Sequence, residues 1–223
     1  MRRRLLVPAI LTVGGFVAAM ACAPATSTAP ATPPQISGIS IWALGDSQGA
    51  DSTDPARGLP WTERLGATVG NGAQPQQGAG WTVPGTFTGR TIPQWAGDLA
   101  AVNSVTKFIV MAGINDLSGG MTVAQMEAGV QELVALASTR HITMTWVGVV
   151  PVPQAATISN RNADRLTFNA WLKSQFGSRY VDCSPTMATS AGWLQPSMSL
   201  AADNLHLNNA GEAALAACIS GKF

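Results

Sequence analysis

The chain has 223 residues, of which 46% are hydrophobic and 11% charged, and its formal net charge is +1. This length suits one domain with a single core. The near-zero charge, without a basic run after the first four positions, predicts neither a nucleic-acid partner nor strong attraction to anionic surfaces.

The N-terminus has the pattern of an export signal. Arg2–Arg4 precede an apolar run over residues 5–21, and small residues flank Cys22. The run approaches the lower limit for a membrane anchor, but Pro8 and the small residues that follow favour a cleaved secretory signal. We therefore predict a signal peptide at 1–22 and an extracytoplasmic location in a bacterium.

Cys22 stands where a bacterial lipoprotein carries its lipidated cysteine, although the residues before it are a poor version of the expected motif. Free secretion and a lipid anchor at Cys22 both stay open. Residues 23–35 are rich in Ala, Pro, Thr and Ser and have no apolar periodicity, which predicts a tether. The remaining residues, 36–223, form the predicted domain, and we expect it to be a monomer.

Two near-continuous apolar runs, 108–111 and 146–150, are typical of parallel strands that are buried on both faces. The pattern predicts five strands in all: Ile39–Leu44, Trp81–Phe87, Lys107–Ala112, Thr143–Val150 and Arg179–Asp182. The second of these is interrupted by Pro84 and Gly85, which weaken a strand.

Helical patterns lie between these strands. Thr122 and Gln125 form a predicted capping box, followed by apolar residues at helical spacing. Further helices are predicted at Trp61–Val69, Pro93–Val102 and Ser159–Phe176, and from a cap at Asn209, with Glu212 in the reciprocal position, to about Ser220. The alternation of strands and helices predicts an α/β domain with a mostly parallel sheet and right-handed crossovers.

Cys183 and Cys218 are the two cysteines of the predicted domain. An even pair in an exported protein predicts a disulfide, which would tie the last helix to the last strand. Two buried thiols are the alternative.

Polar residues follow two of the predicted strands and precede the last helix. Ser47 comes after the first strand, Asn115 after the third, and Asp203 and His206 just before the helix. Because sites in open α/β sheets form at the carboxyl ends of strands, we expect these side chains to lie close together.

Ser47 needs a base before it can act as a nucleophile, since a serine hydroxyl is not ionised at neutral pH. The chain has two histidines, and His141 lies at a predicted helix end, so His206 is the better candidate. Asp203 can fold back onto the same imidazole and orient it. Two other carboxylates compete for that role, but their neighbours indicate that they brace turns: Asp46 and Asp116.

An acyl transfer also needs hydrogen-bond donors for the negative charge that develops on the carbonyl oxygen. The candidates are the backbone N–H of Ser47, the side-chain amide of Asn115 and the backbone N–H of Gly89. A glycine lacks the Cβ that would keep a backbone amide away from a ligand.

These segments, in this order, resemble the GDSL or SGNH hydrolase family. Gly45–Ser47 is similar to its first block, Gly89 within Thr-Gly-Arg-Thr to the second, Gly113–Asp116 to the third, and Asp203 with His206 to the last. The blocks extend over nearly the whole predicted domain. The third and last are specific in combination, whereas Gly85 competes for the second.

The resemblance implies a flavodoxin-like, three-layer α/β/α fold and an esterase or lipase that needs no cofactor and no metal. It implies Ser47 as nucleophile, Asp203 and His206 as its partners, and Gly89 and Asn115 as oxyanion donors. It leaves the ester open, with short acyl or O-acetyl groups on a carbohydrate or lipid as the expected substrates.

The chain departs from the family pattern at Gln48, where a leucine often follows the serine, and at Leu207, where a proline often follows the histidine. Neither position performs the chemistry, so these departures bear on the shape of the substrate. Among the seven tryptophans, four lie in or near predicted loops, where they pack in the core or line a substrate pocket: Trp61, Trp81, Trp95 and Trp193.

Three other functions stay open. A surface-tethered binding protein could keep the fold without catalysis, and an O-acyltransferase could use a sugar acceptor in place of water. A metal-dependent phosphoesterase would need several histidines and carboxylates around its metals, and this chain is poor in such ligands.

Overall fold

The computed structural model describes residues 32–50, 54–73, 80–85 and 88–223. Within these ranges the chain forms one five-stranded sheet, and all four neighbouring pairs of strands are parallel. The strands are β1 (Ile41–Gly45), β2 (Val69–Asn71), β3 (Lys107–Met111), β4 (Thr143–Val147) and β5 (Tyr180–Val181). Their spatial order is β2-β1-β3-β4-β5. The predicted α/β fold with a parallel five-stranded sheet is confirmed.

Helices cover both faces of this sheet. The α-helices are α1 (Trp61–Arg64), α2 (Ile92–Val102), α3 (Ile114–Ser118), α4 (Val123–Thr139), α5 (Asn162–Phe176), α6 (Ser184–Met187) and α7 (Asn209–Ile219). Side chains of α2, α4 and α5 pack in one apolar cluster. Side chains of α1, α6 and α7 pack in the other. The result is a three-layer α/β/α sandwich.

β3 shows why the central strands read as continuous apolar runs. Phe108 and Val110 belong to the cluster with α4, whereas Ile109 and Met111 belong to the cluster with α7. Successive side chains of a strand point to opposite faces, so a strand covered on both faces needs apolar residues throughout.

The helix predicted from the capping box at Thr122 is confirmed. The Thr122 hydroxyl accepts a hydrogen bond from the Gln125 N–H, and the Gln125 side chain accepts one from the Thr122 N–H. Thr91 and Gln94 form the same motif at the start of α2. His141 follows α4 with φ of 56° and an exposed side chain, in keeping with its predicted helix-end position.

The strand predicted at Trp81–Phe87 is wrong over the described residues 81–85, which have no strand structure. The backbone N–H groups of Trp81 and Thr82 donate to the Asp116 carboxylate instead of to a neighbouring strand. The second strand of the sheet is β2, which lies within and just beyond the helix predicted at Trp61–Val69. Only Trp61–Arg64 of that stretch is helical.

The last helix begins at Asn209 and is capped by Asn208, not by Asn209 as predicted. The Asn208 side chain accepts hydrogen bonds from the N–H groups of Ala210 and Gly211. Glu212 does not take the reciprocal capping position, because its side chain is buried against Arg57.

The predicted signal peptide, with Cys22, and residues 23–31 of the predicted tether lie outside the described residues. The end of the tether lies at the C-terminal end of α2, where the Asn103 side chain donates to the Pro34 carbonyl and accepts from the Ile36 N–H. Within the described ranges, no helix has the length and apolar character needed to cross a membrane. A disulfide joins Cys183, just after β5, to Cys218 in α7, with 5.8 Å between their Cα atoms.

Candidate active site

Ser47 lies in a tight turn at the carboxyl end of β1. The Gly49 N–H donates to the Asp46 carbonyl at 3.0 Å, and the Gln48 N–H donates to the Asp46 carboxylate at 3.0 Å. A Cβ at Gly49 would lie 2.8 Å from the indole nitrogen of Trp61, so only glycine fits there without a shift. The packed turn holds Ser47 half-buried at the carboxyl ends of the strands.

His206 and Asp203 reach Ser47 from the loop before α7. The His206 Nε2 lies 2.9 Å from the Ser47 Oγ, and the His206 Nδ1 lies 2.6 Å from the Asp203 Oδ2. The other Asp203 oxygen accepts from the backbone N–H groups of Leu205 and His206. Asn204 has φ of 51°, which lets the loop turn back within three residues. The three predicted catalytic side chains therefore form one hydrogen-bonded chain.

Asp203 fixes the direction of these hydrogen bonds. Burial alone would raise the pKa of Asp203, but hydrogen bonds from the backbone and side chain of His206 and from Leu205 outweigh it and lower that pKa. An ionised carboxylate can only accept, so the His206 Nδ1 carries the proton. The Nε2 lone pair then faces the Ser47 hydroxyl, as a general base requires.

Asn115 lies in the first turn of α3, close after β3. β1 and β3 are neighbours in register, with Gly45 opposite Met111, so Ser47 and Asn115 leave the same edge of the sheet side by side. Gly113 makes the intervening turn with φ of 136°, and a Cβ there would come within 2.9 Å of Met126 and Val149. This placement is compatible with the role of Asn115 as an oxyanion donor, which stays a prediction.

Gly89 has φ of 62°, a conformation that favours glycine, and is exposed. Its backbone N–H donates to the Gly85 carbonyl at 2.7 Å. In this conformation the group is used inside its own turn, so the assignment of Gly89 as an oxyanion donor stays a prediction.

Asp46 and Asp116 brace the segments around the site, as their neighbours indicated. Asp116 accepts from the backbone of Trp81 and from the backbone and hydroxyl of Thr82. Both carboxyl groups are buried. Burial raises the pKa of Asp46 to about 7 and also raises the pKa of Asp116.

A buried ion pair that no sequence pattern indicated lies next to the turn of Ser47. The Arg57 Nη2 lies 2.8 Å from the Glu212 Oε1, and the other Glu212 oxygen accepts from the Trp61 N–H. Burial raises the pKa of Glu212 to about 7, although the bonds from Arg57 act in the opposite direction. The two residues are 155 positions apart, so no local pattern could have paired them.

A cavity of about 450 Å³ lies beside the loop that carries Asp203 and His206. The Leu200 N–H donates to the His206 carbonyl at 2.8 Å, and residues on either side of Leu200 form part of the cavity wall. None of the residues that line this cavity in the described part of the chain is charged, and the wall includes Pro153, Ala155, Trp193, Pro196, Ala201 and Asn204. The other three tryptophans that were candidates for a pocket are buried in the core: Trp61, Trp81 and Trp95.

Across the described residues, no group of three or more His, Cys, Asp or Glu side chains has the arrangement to hold a metal ion. The described residues therefore do not supply the ligands that a metal-dependent phosphoesterase needs.

Comparisons with known proteins agree with the fold and show the family of this chain. The model of the GDSL-like lipase/acylhydrolase family matches residues 43–214. The fold is similar to a GDSL-like lipase from Bacteroides thetaiotaomicron, with a TM-score of 0.62, 15% identity, and coverage of 84% of this chain and 88% of that one. It is also similar to an alpha/beta hydrolase enzyme from the metagenome of Lake Arreo, with a TM-score of 0.59, 17% identity, and coverage of 82% and 93%. No curated protein sequence matches the chain.

Proposed function

We propose that this chain, which belongs to the GDSL-like lipase/acylhydrolase family, is an exported serine esterase with a covalent acyl-enzyme intermediate. The observation that carries the proposal is the hydrogen-bonded chain from Ser47 through His206 to Asp203. Serine, imidazole and carboxylate in this order are the parts that nucleophilic ester hydrolysis requires.

In the first half of the reaction, the Ser47 Oγ attacks the ester carbonyl carbon while its proton passes to the His206 Nε2. The carbonyl oxygen becomes an oxyanion, which receives hydrogen bonds from the Ser47 N–H and the Asn115 amide, and from the Gly89 N–H if that turn rearranges. When the intermediate collapses, the C–O bond to the alcohol breaks, and His206 returns the proton to the leaving oxygen.

In the second half, a water molecule attacks the acyl-enzyme and gives its proton to His206. The carboxylic acid then leaves as the proton returns to Ser47. Throughout the cycle Asp203 stays ionised and stabilises the imidazolium that forms twice.

We further propose short acyl or O-acetyl groups on a carbohydrate or lipid as the substrates. The cavity beside the His206 loop supports an uncharged group on the ester, because no described residue of its wall carries a charge that could pair with a charged group. The signal-like residues 1–22 support export, to free secretion or to a lipid anchor at Cys22.

The test is release of p-nitrophenol from acetyl, butyryl and octanoyl esters, together with labelling by an organophosphonate. Ser47→Ala should abolish both, whereas the exposed Ser178→Ala, just before β5 at the opposite edge of the sheet, should change neither. A wild type that shows neither turnover nor labelling would contradict the proposal and favour a binding protein.

A further inference from the structure

Gln48, the residue after the nucleophile, reaches across to the loop that carries the base. Its side chain is buried, and its Nε2 donates to the Leu205 carbonyl at 3.1 Å. Its Oε1 accepts from the Leu207 N–H at 3.4 Å. The two ends of one amide therefore bind the backbone on either side of His206, and the two partners fix which end is oxygen and which is nitrogen.

The backbone of Gln48 is hydrogen-bonded at both its N–H and its carbonyl. Its N–H donates to Asp46, and its carbonyl accepts from the Arg57 Nη2 at 3.1 Å. The same guanidinium nitrogen binds Glu212, which lies in the helix that follows the His206 loop. Gln48 thus connects the turn of Ser47 to the loop of His206 directly, and through Arg57 to α7.

We propose that Gln48 is a positioning residue that sets the His206 imidazole at hydrogen-bonding distance from Ser47. This inference rests on the proposed function. The loop of His206 is partly exposed, and the side chains of His206 and Asp203 keep 22% and 39% of their surface accessible. Packing therefore leaves part of the base unconstrained, and hydrogen bonds of fixed direction add to the constraint. A leucine at position 48 could make neither bond.

A merely structural role for Gln48 predicts a different result. In that case the loss of its bonds would lower stability, and the folded protein would turn over normally. A positioning role predicts a loss of kcat in protein that is still folded, because a displacement of about 1 Å at reacting groups can cost about 100-fold in rate.

Gln48→Met is the variant to make, since it keeps the length of the side chain and removes both bonds. Asn169→Leu is a matched control, because the buried Asn169 amide also makes two bonds to backbone, donating to the Val149 carbonyl and accepting from the Val149 N–H, both at 2.9 Å. Each variant is measured by its melting temperature, by kcat and KM on p-nitrophenyl butyrate, and by its rate of phosphonate labelling.

We expect kcat and the labelling rate of Gln48→Met to fall about 10- to 100-fold, with KM within about twofold of wild type. Asn169→Leu should lose stability but keep kcat within about twofold. Equal kcat and labelling rates in Gln48→Met and wild type, with a lowered melting temperature, would overturn the inference and leave a structural role.

If Gln48→Met does not fold, Gln48→Leu carries the same comparison, since a leucine can bond neither to the Leu205 carbonyl nor to the Leu207 N–H. Normal kcat in folded Gln48→Leu would also overturn the inference. If the wild type neither hydrolyses esters nor is labelled, the proposed function itself fails and the inference falls with it. An active wild type with an equally active variant refutes the inference alone.

Discussion

Removal of the Cys183–Cys218 disulfide should lower the free energy of unfolding by about 4 kcal/mol while the folded protein keeps its turnover. The bond joins residues that are 35 positions apart. In the chain-entropy model, closure of such a loop lowers the entropy of the unfolded chain by about 13 cal/mol/K, which is about 4 kcal/mol at 25 °C. For a domain of 150–250 residues this corresponds to a melting temperature lower by about 8–16 °C.

The closed loop contains Asp203 and His206, so an effect on catalysis is a fair alternative. We expect none at 25 °C, because Gln48 and Arg57 hold this segment to the turn of Ser47 through contacts independent of the disulfide. In the folded reduced protein, kcat should therefore stay within about twofold of the oxidised value.

The assay is thermal unfolding followed by circular dichroism, with and without a phosphine reductant, in a protein carrying Cys22→Ser so that only one pair can form. The variant Cys183→Ser/Cys218→Ser is the control, and it should melt like the reduced protein and ignore the reductant. Coincident melts of the oxidised and reduced protein would refute the loop-closure reasoning.

Two further predictions concern the site and its surroundings. Asn115→Ala should lower kcat by about 10²- to 10³-fold with little change in melting temperature, because it removes the proposed oxyanion donor from a half-buried position; steady-state kinetics measure this. Asp46→Asn should flatten the pH dependence of stability: burial raises the pKa of Asp46 from 3.8 to about 7, so its contribution is full below about pH 4 and is lost as pH rises through about 7. Melting temperatures of wild type and variant from pH 5 to pH 8 measure the difference.

Equal turnover by Asn115→Ala and wild type would remove Asn115 from the oxyanion hole. For Asp46, the comparison between the two proteins is essential, because Glu212 also has a raised pKa and titrates over the same range in both. Parallel melting curves across this range would show that the Asp46 carboxyl does not carry the effect.

The sequence predicted the parts of the fold whose cause is local. The runs at β3 and β4 are apolar because both faces of those strands are covered, and α4 begins at a capping box that is complete within four residues. The side chains that meet at the site were predictable for a different reason, since the parallel topology brings strand ends to one edge.

The predictions that were wrong failed because of contacts between residues that are distant in the sequence. β2 is three residues long and contains Gly70, so it is a strand only because β1 lies beside it. Trp81 has the apolar character of a strand residue, but its N–H binds Asp116, 35 positions away. Glu212 has the spacing of a capping residue, but a buried arginine from the other end of the chain takes its carboxylate.

Ser47 and His206 are 159 residues apart, so the nucleophile is synthesised long before its base. A growing polypeptide that already contains Ser47 has no base for it until residues 203–206 have been made and have docked beside the turn after β1. Because Asp203 and His206 lie within one short loop, a chain that stops before residue 203 lacks both partners together. Such a truncated product would keep the nucleophile and yet would not turn over an ester.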